Sequence, residues 1–245
     1  MKKYIFIAGL HRSGTSLIAD ALKTHPNIRS FTDTGFPEDE GQFLQSVFPL
    51  AKEYGGPGVF GFSREMHLTE NSGLLTDENK KKLQSEWSQY WGGGEIFLEK
   101  SPPNILKTRF LQEIFPDSYF IIVYRHPVAV SYATQKWSKT SISSLIKHWI
   151  HCYSIYNNDR KYLKNKIELK YEDFISDPSG ILSKIASFAG ISSDFDLSEI
   201  EISEGVNEKY FAEWNKYISR TGFFDKIKYK YINRYINKYN YDLFF

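Results

Sequence analysis

With 245 residues, 41% of them hydrophobic, the chain is long enough to bury a substantial core as one α/β domain with insertions, or at most one and a half domains. Its formal net charge of +2 is too small to argue for nucleic acid as a partner, so any basic function is local. The lone cysteine, Cys152, excludes an internal disulfide and a cysteine-based zinc site and fits a reducing compartment, and no apolar run reaches the roughly 18 residues of a membrane span.

Lys2 and Lys3 precede an apolar segment, Tyr4 to Leu10, that has the outline of a signal-peptide core. A glycine-bracketed loop follows it instead of a small-residue cleavage pattern, so the segment reads as a buried strand. The next helix carries Leu17, Ile18, Ala21 and Leu22 at helical spacing and stops at His25-Pro26, because the residue before proline avoids the helical region. A short strand is expected at Ile28 to Phe31 and a helix from Gln42 to Lys52. Residues 53–75, rich in glycine at Gly55, Gly56, Gly58 and Gly61, read as a flexible insertion, either a substrate-side lid or a surface loop. Thr76 caps a helix that ends at Trp91 before Gly92-Gly93-Gly94.

A strand at Ile96 to Glu99 leads to an amphipathic helix from Ile105 to Phe115 and then to a strand from Tyr119 to Tyr124, nearly all β-branched or aromatic as a central strand should be. Arg125-His126-Pro127 ends it, with Pro127 placed to open another helix. A long helix from about Ser143 to Tyr162, a strand from Ile167 to Tyr171, and a helix ending at Gly190 complete the alternation. The pattern predicts a P-loop-like three-layer α/β fold: a central parallel sheet of about five strands with helices on both faces, in one domain spanning 1–245. Ligands of such open sheets bind beyond the carboxyl ends of the strands, where Arg12, Lys100 and Arg125 fall.

The segment from Gly9 through Gly14 to Thr15-Ser16 is the informative one. A strand, a glycine-bracketed loop and a helix start aim backbone N–H groups and the positive end of a helix dipole at a phosphate or sulfate. The spacing follows the P-loop pattern except that Thr15 stands where the phosphate lysine belongs. Transfer of an ATP γ-phosphate therefore lacks its usual point charge. Arg12, inside the loop, offers a fork that grips an oxyanion bidentately.

Four segments, Gly9-Leu-His-Arg-Ser-Gly-Thr-Ser16, Pro37-Glu-Asp-Glu-Gly-Gln42, Glu99-Lys-Ser-Pro102 and Phe115-Pro-Asp-Ser-Tyr-Phe-Ile-Ile-Val-Tyr-Arg-His-Pro127, give the chain a resemblance to sulfotransferases that use 3'-phosphoadenosine 5'-phosphosulfate (PAPS), of the bacterial branch similar to tyrosylprotein and carbohydrate sulfotransferases. The resemblance implies that Arg12, Ser13, Gly14, Thr15 and Ser16 hold the 5'-phosphosulfate and that Arg125 clamps the 3'-phosphate. The family's second 3'-phosphate ligand, a serine eight residues beyond that arginine, is Ala133 here. Ser131 is the favoured substitute and Thr134 the alternative. Sulfuryl transfer needs an aligned hydroxyl, a base for its proton and positive charge on the leaving oxygen, and by this logic no metal. Lys100 matches the family's lysine for that oxygen. The acidic cluster after the second strand matches the catalytic glutamate, with Glu40 favoured and Glu38 the alternative.

His11 and His126 read as local hydrogen-bond partners, and Glu172 and Asp173 as a cap for the following helix. Lys209 and Tyr210 lie where relatives close over the nucleotide. The tail 223–245 interleaves Ile227, Tyr231, Tyr235 and Tyr239 with Lys226, Lys228, Lys230, Arg234 and Lys238, a helix that either packs on the domain or touches a membrane or glycolipid surface. The expected partners are PAPS and a hydroxyl-bearing acceptor (sugar, lipid, peptide or small alcohol), and the expected compartment is the cytoplasm. Two other classes stand beside this one: a nucleotide-dependent phosphotransferase, and a non-catalytic module that keeps the nucleotide cradle.

Overall fold

Five strands, β1 (Lys3–Ala8), β2 (Ile28–Ser30), β3 (Ile96–Lys100), β4 (Ser118–Tyr124) and β5 (Lys166–Lys170), form one sheet in the order β2-β3-β1-β4-β5 with every pairing parallel. The computed structural model describes residues 2–245. Because side chains alternate along a strand, Phe6 and Ala8 join Phe120 and Ile122 on one face, while Ile5 and Ile7 join Ile121 and Val123 on the other. Both faces are apolar, as a parallel sheet requires, since its crossovers put helices on each side.

Helices α1 (Thr15–Lys23), α2 (Asp77–Trp91), α3 (Thr108–Ile114), α4 (Pro127–Gln135), α5 (Ile142–Asp159), α6 (Tyr171–Ser176) and α7 (Pro178–Ala189) make the outer layers. Ile18 and Leu22 of α1 and Leu182 and Ile185 of α7 cover the Ile5 face; Trp87 of α2, Phe110 of α3 and Trp149 of α5 belong to the core on the Phe6 side. Thr76 caps α2, accepting from the N–H of Asn79, as its sequence predicts.

The expected helix from Gln42 to Lys52 is not an α-helix. Gly41–Phe43 and Ala51–Tyr54 are separate 3₁₀ turns. The Gln45 side-chain oxygen accepts from the N–H groups of Val47 and Phe48, and the Gln42 amide oxygen accepts from Ala51 N–H, so side chains take the bonds a helix would need. The helix expected over 105–115 begins as a 3₁₀ turn at Pro102–Leu106, breaks at Lys107 (φ −129°) and resumes as α3. The helix predicted to end at Gly190 splits into α6 and α7 at Asp177-Pro178, where Asp177 leaves the helical region (φ −144°, ψ 74°) and accepts from Gly180 N–H.

Residues 53–75 are pinned rather than loose. Phe60 and Met66 are buried, Gly61 N–H donates to His148 Nε2 at 3.0 Å, and Leu68 N–H donates to the Leu106 carbonyl. Helix α8 (Glu208–Arg220) was not expected. The C-terminal helix α9 (Phe223–Ile236) ends well short of residue 245, and the residues after it fold back: Leu243 O accepts from Trp214 Nε1 and Asp242 O lies 2.8 Å from His126 Nε2.

Candidate active site

The loop between β1 and α1 sits at the carboxyl edge of the central strand. Arg12 and Gly14 have φ of 67° and 94°, the left-handed region that turns successive N–H groups into a concave nest. A Cβ at residue 14 would collide with the Tyr171 ring, so glycine is required there for space as well as conformation. The first turn of α1 leaves the N–H groups of Thr15, Ser16 and Leu17 without intrahelical partners. Ser13 plays a different part. Its hydroxyl donates to Leu10 O at 2.6 Å and accepts from Leu10 N–H at 3.2 Å, and its own N–H donates to Leu10 O, so the residue holds the loop's shape and does not line the cleft in front of the loop.

Five polar side chains run from the loop to β3 in one network. Ser16 Oγ donates to Glu38 Oε2 at 2.7 Å; Lys100 Nζ lies 3.7 Å from Glu38 Oε2 and 3.3 Å from Glu40 Oε1; Gln42 Nε2 donates to Glu40 Oε2. Glu38 and Asp39 both have positive φ (56° and 47°), an uncommon conformation for residues with a Cβ, with Asp39 fixed by the Thr34 N–H and hydroxyl. The Ser16 hydroxyl, with Lys100 and Arg12 adding to it against some burial, holds Glu38 below the usual carboxylate range. Burial dominates at Glu40 and pushes its carboxyl up against the pull of Lys100. Two neighbouring carboxylates are thus driven apart, the pattern that separates a permanent anion from a group able to exchange a proton.

Glu99 supports this network from beneath. It is fully buried and accepts from Gly41 N–H (3.1 Å), the Ser101 hydroxyl and Asn104 Nδ2, which fixes the turn carrying Glu40. A Cβ on Gly41 would approach Glu99 Oε1 to 2.6 Å, so only glycine fits. Burial pushes the Glu99 carboxyl up to about 7, and burial pulls the Lys107 ammonium down to about 7.

Arg125 ends β4 on the other side of the loop. Its Nε and Nη2 donate to Asn207 Oδ1 at 2.9 and 2.6 Å, its Nη1 donates to Arg12 O at 2.9 Å, and its guanidinium lies 4.2 Å from the Tyr171 ring centroid. Asn207 in turn donates to Glu172 Oε1, which also accepts from His126 N–H, while Glu172 Oε2 accepts from the Tyr241 hydroxyl. Glu172 is therefore a half-buried tie between β4, the start of α8 and the C-terminal tail, and not the helix cap expected of it. Asp177 is the residue that caps α7.

A cleft of about 270 Å³ brings together Arg12, Gly14, Thr15, Ser16, Glu38, Glu40 and Arg125, with Lys100 bonded to its two glutamates. Ser131 is not part of it. Helix α4 starts at Pro127, and at that phase Ser131 and Thr134 share the face turned toward the back of the loop, where Ser131 lines a separate small cavity and Thr134 Oγ1 donates to His11 O. Three residues the sequence did not single out line the cleft: Trp137, whose ring lies 4.5 Å from the Arg12 guanidinium, Tyr171 and Val206. Tyr171 had a signal, its place at the end of β5 beside the quoted Glu-Asp pair; Asn207 had none.

A parallel sheet with this strand order, a glycine-bracketed loop at the end of its central strand and ionisable groups gathered beside that loop is the frame of a P-loop-like transferase. The chain belongs to the sulfotransferase family, whose profile matches residues 4–196, and its activity is sulfuryl transfer. No curated protein matches the chain by sequence. Among solved structures, it is similar in fold to the sulfotransferase domain of the curacin biosynthetic pathway (TM-score 0.62, 16% identity, 99% of each chain covered). It is also similar to a sulfotransferase from Alicyclobacillus acidocaldarius (TM-score 0.52, 18% identity, 90% of this chain and 94% of that one) and to the sulfotransferase domain of the Synechococcus PCC 7002 olefin synthase (0.53, 18%, 80% and 75%).

Proposed function

We propose that the cleft takes PAPS as donor and passes its sulfuryl group to an acceptor hydroxyl. The observation that carries this reading is a pair of cationic groups on one sheet edge: the loop with Arg12 and Ser16, and Arg125 across it, bridged at Arg12 O. A donor with a 5'-phosphosulfate and a 3'-phosphate needs two such groups. The N–H groups of Gly14, Thr15 and Ser16 and the side chains of Arg12 and Ser16 would hold the phosphosulfate; Arg125 would exchange Asn207 for the 3'-phosphate.

Glu40, whose proton affinity burial raises above that of an ordinary glutamate, takes the proton of the acceptor hydroxyl as its oxygen bonds to sulfur. The sulfur–oxygen bond to the 5'-phosphate breaks, its electron pair stays on the phosphate, and Lys100 meets the charge that develops there. Glu38 stays ionised and holds Ser16 and Lys100 until the donor's anionic oxygens compete for them. Ser13 positions the loop. The whole chain acts as one domain in this reading, with 53–75 as a fixed wall against α5.

The outer face of α9 supports peripheral contact with an anionic membrane surface. Phe223 and Phe224 are 73% and 86% exposed and Ile227 and Tyr231 about half exposed, with Lys226, Lys230 and Arg234 on the same helix. A cytoplasmic site of action is consistent with one buried free thiol, Cys152.

Calorimetric titration with adenosine 3',5'-bisphosphate (PAP), the donor's product, tests the donor assignment. Binding in the nanomolar to micromolar range is expected. Absence of binding to the folded protein would overturn it.

A further inference from the structure

His11 sits mid-loop, next to Arg12, and lines two spaces at once: the cleft in front of the loop and a cavity of about 10 Å³ behind it. Its Nδ1 is shielded from solvent and has no hydrogen-bond partner. The Ser131 hydroxyl lines the same rear cavity, is 1% exposed and likewise has no partner. The other polar groups around the cavity are engaged: Thr134 Oγ1 donates to His11 O, and His148 Nε2 accepts from Gly61 N–H. Two orphaned polar atoms beside a space about the size of one water molecule mark a buried water site, because orphaned buried groups are costly and a polar cavity of this size holds one water.

Burial, and then the nearby Lys100 charge, hold His11 well below the ordinary imidazole value, down to about 3, so the ring is neutral. A neutral imidazole carries one N–H and one acceptor nitrogen. The buried, unpartnered Nδ1 is the nitrogen assigned to the rear cavity, which leaves Nε2 for the cleft. An anion in the cleft selects the tautomer protonated there, and Nδ1 then accepts from the buried water or the Ser131 hydroxyl.

The geometry points to His11 as a neutral hydrogen-bond donor to the sulfuryl oxygens of the donor, held in the right tautomer by a water-sized polar cavity shared with Ser131. This rests on the PAPS reading above. Ser131 acts through His11, as a positioning residue and not as a 3'-phosphate ligand. A ring that stays neutral suits this place, because beside Lys100 and Arg12 a further cation would add repulsion in the empty cleft.

The test compares PAPS and PAP affinities, which differ only in the sulfuryl group. His11→Ala is expected to weaken PAPS binding about tenfold, the effect of one hydrogen bond to a charged group, and to leave PAP binding within about twofold. His11→Gln, which keeps an N–H donor at similar reach, should recover part of the loss. Ser131→Ala should lower the PAPS-over-PAP preference a few-fold, and in nitrogen-labelled protein it should shift the His11 Nδ1 resonance while wild type with PAPS bound shows the Nε2–H tautomer. An unchanged PAPS-to-PAP ratio in His11→Ala, or a protonated or Nδ1–H ring in the bound wild type, would overturn the proposal. Failure of wild type to bind PAP at all would instead sink the donor assignment beneath it.

Discussion

Arg125 donates through Nη1 to the backbone carbonyl oxygen of Arg12 at 2.9 Å. The strand-end arginine and the left-handed loop residue are therefore one unit: a charge-assisted bond offsets part of the strain of a positive φ at a non-glycine residue. Losing the fork should damage both anion-binding groups. Arg125→Ala is expected to weaken PAP binding more than about 100-fold, from two charge-assisted bonds at roughly 1.5–3 kcal/mol each. Arg125→Lys keeps the charge without the fork and should fall between. Calorimetry reads both.

Glu38 and Glu40 should respond in opposite ways to the same substitution. Glu40→Gln removes the base and should lower turnover by roughly 10²–10⁴-fold with PAP affinity unchanged. Glu38→Gln removes a carboxylate that holds Ser16 and Lys100 and should tighten PAP binding. Weaker PAP binding in Glu38→Gln would contradict the competition argued for it.

Glu40 acts when ionised, and burial raises its proton affinity above the ordinary glutamate value of 4.5. Activity is then lost as pH falls through that raised value. The rate profile should show an acid limb with its midpoint above 4.5, and the limb should be absent in Glu40→Gln.

Glu99→Ala strands the N–H of Gly41, the Ser101 hydroxyl and the Asn104 amide in a fully buried place. Unpaired buried donors cost about 1–3 kcal/mol each, so a loss of about 3 kcal/mol or more is expected in denaturant unfolding, with turnover falling as the Glu40 turn loosens. A stable, fully active Glu99→Ala protein would show that the turn is held by other means.

Phe223→Ser with Phe224→Ser should abolish sedimentation with vesicles containing phosphatidylserine and leave PAP affinity untouched, since both rings lie on the outer face of α9. Equal binding of wild type to neutral phosphatidylcholine vesicles would argue against an electrostatic component.

The strands, the loop and the capped helix α2 were legible because each is written in local pattern: apolar alternation, two glycines, a threonine before an acidic first turn. Lys100 and the loop meet as strand ends on one sheet edge, and Glu38 and Glu40, pointed to by the family resemblance, lie beside them. What was hidden depends on partners far along the chain. The Arg125–Asn207 contact spans 82 residues and carries no local signature. The segment from Gln42 to Lys52 looked helical, but glutamine side chains bond its backbone instead. Ser131 offers a hydroxyl near the position where the resemblance expects one; the helix start at Pro127 turns that face to the rear of the loop. Glu172 looked like a cap because acidic residues favour helix starts, and only the folded tail, through Tyr241, reveals its use.

The most direct measurement follows a labelled sulfuryl group from PAPS into a hydroxyl acceptor in a cell extract, comparing wild type with Lys100→Ala and Glu40→Gln. The account predicts one or more labelled sulfate esters with wild type and at least roughly 100-fold less with either variant, while all three proteins still bind PAP. Equal labelling by the variants, or labelling only from ATP, would contradict it.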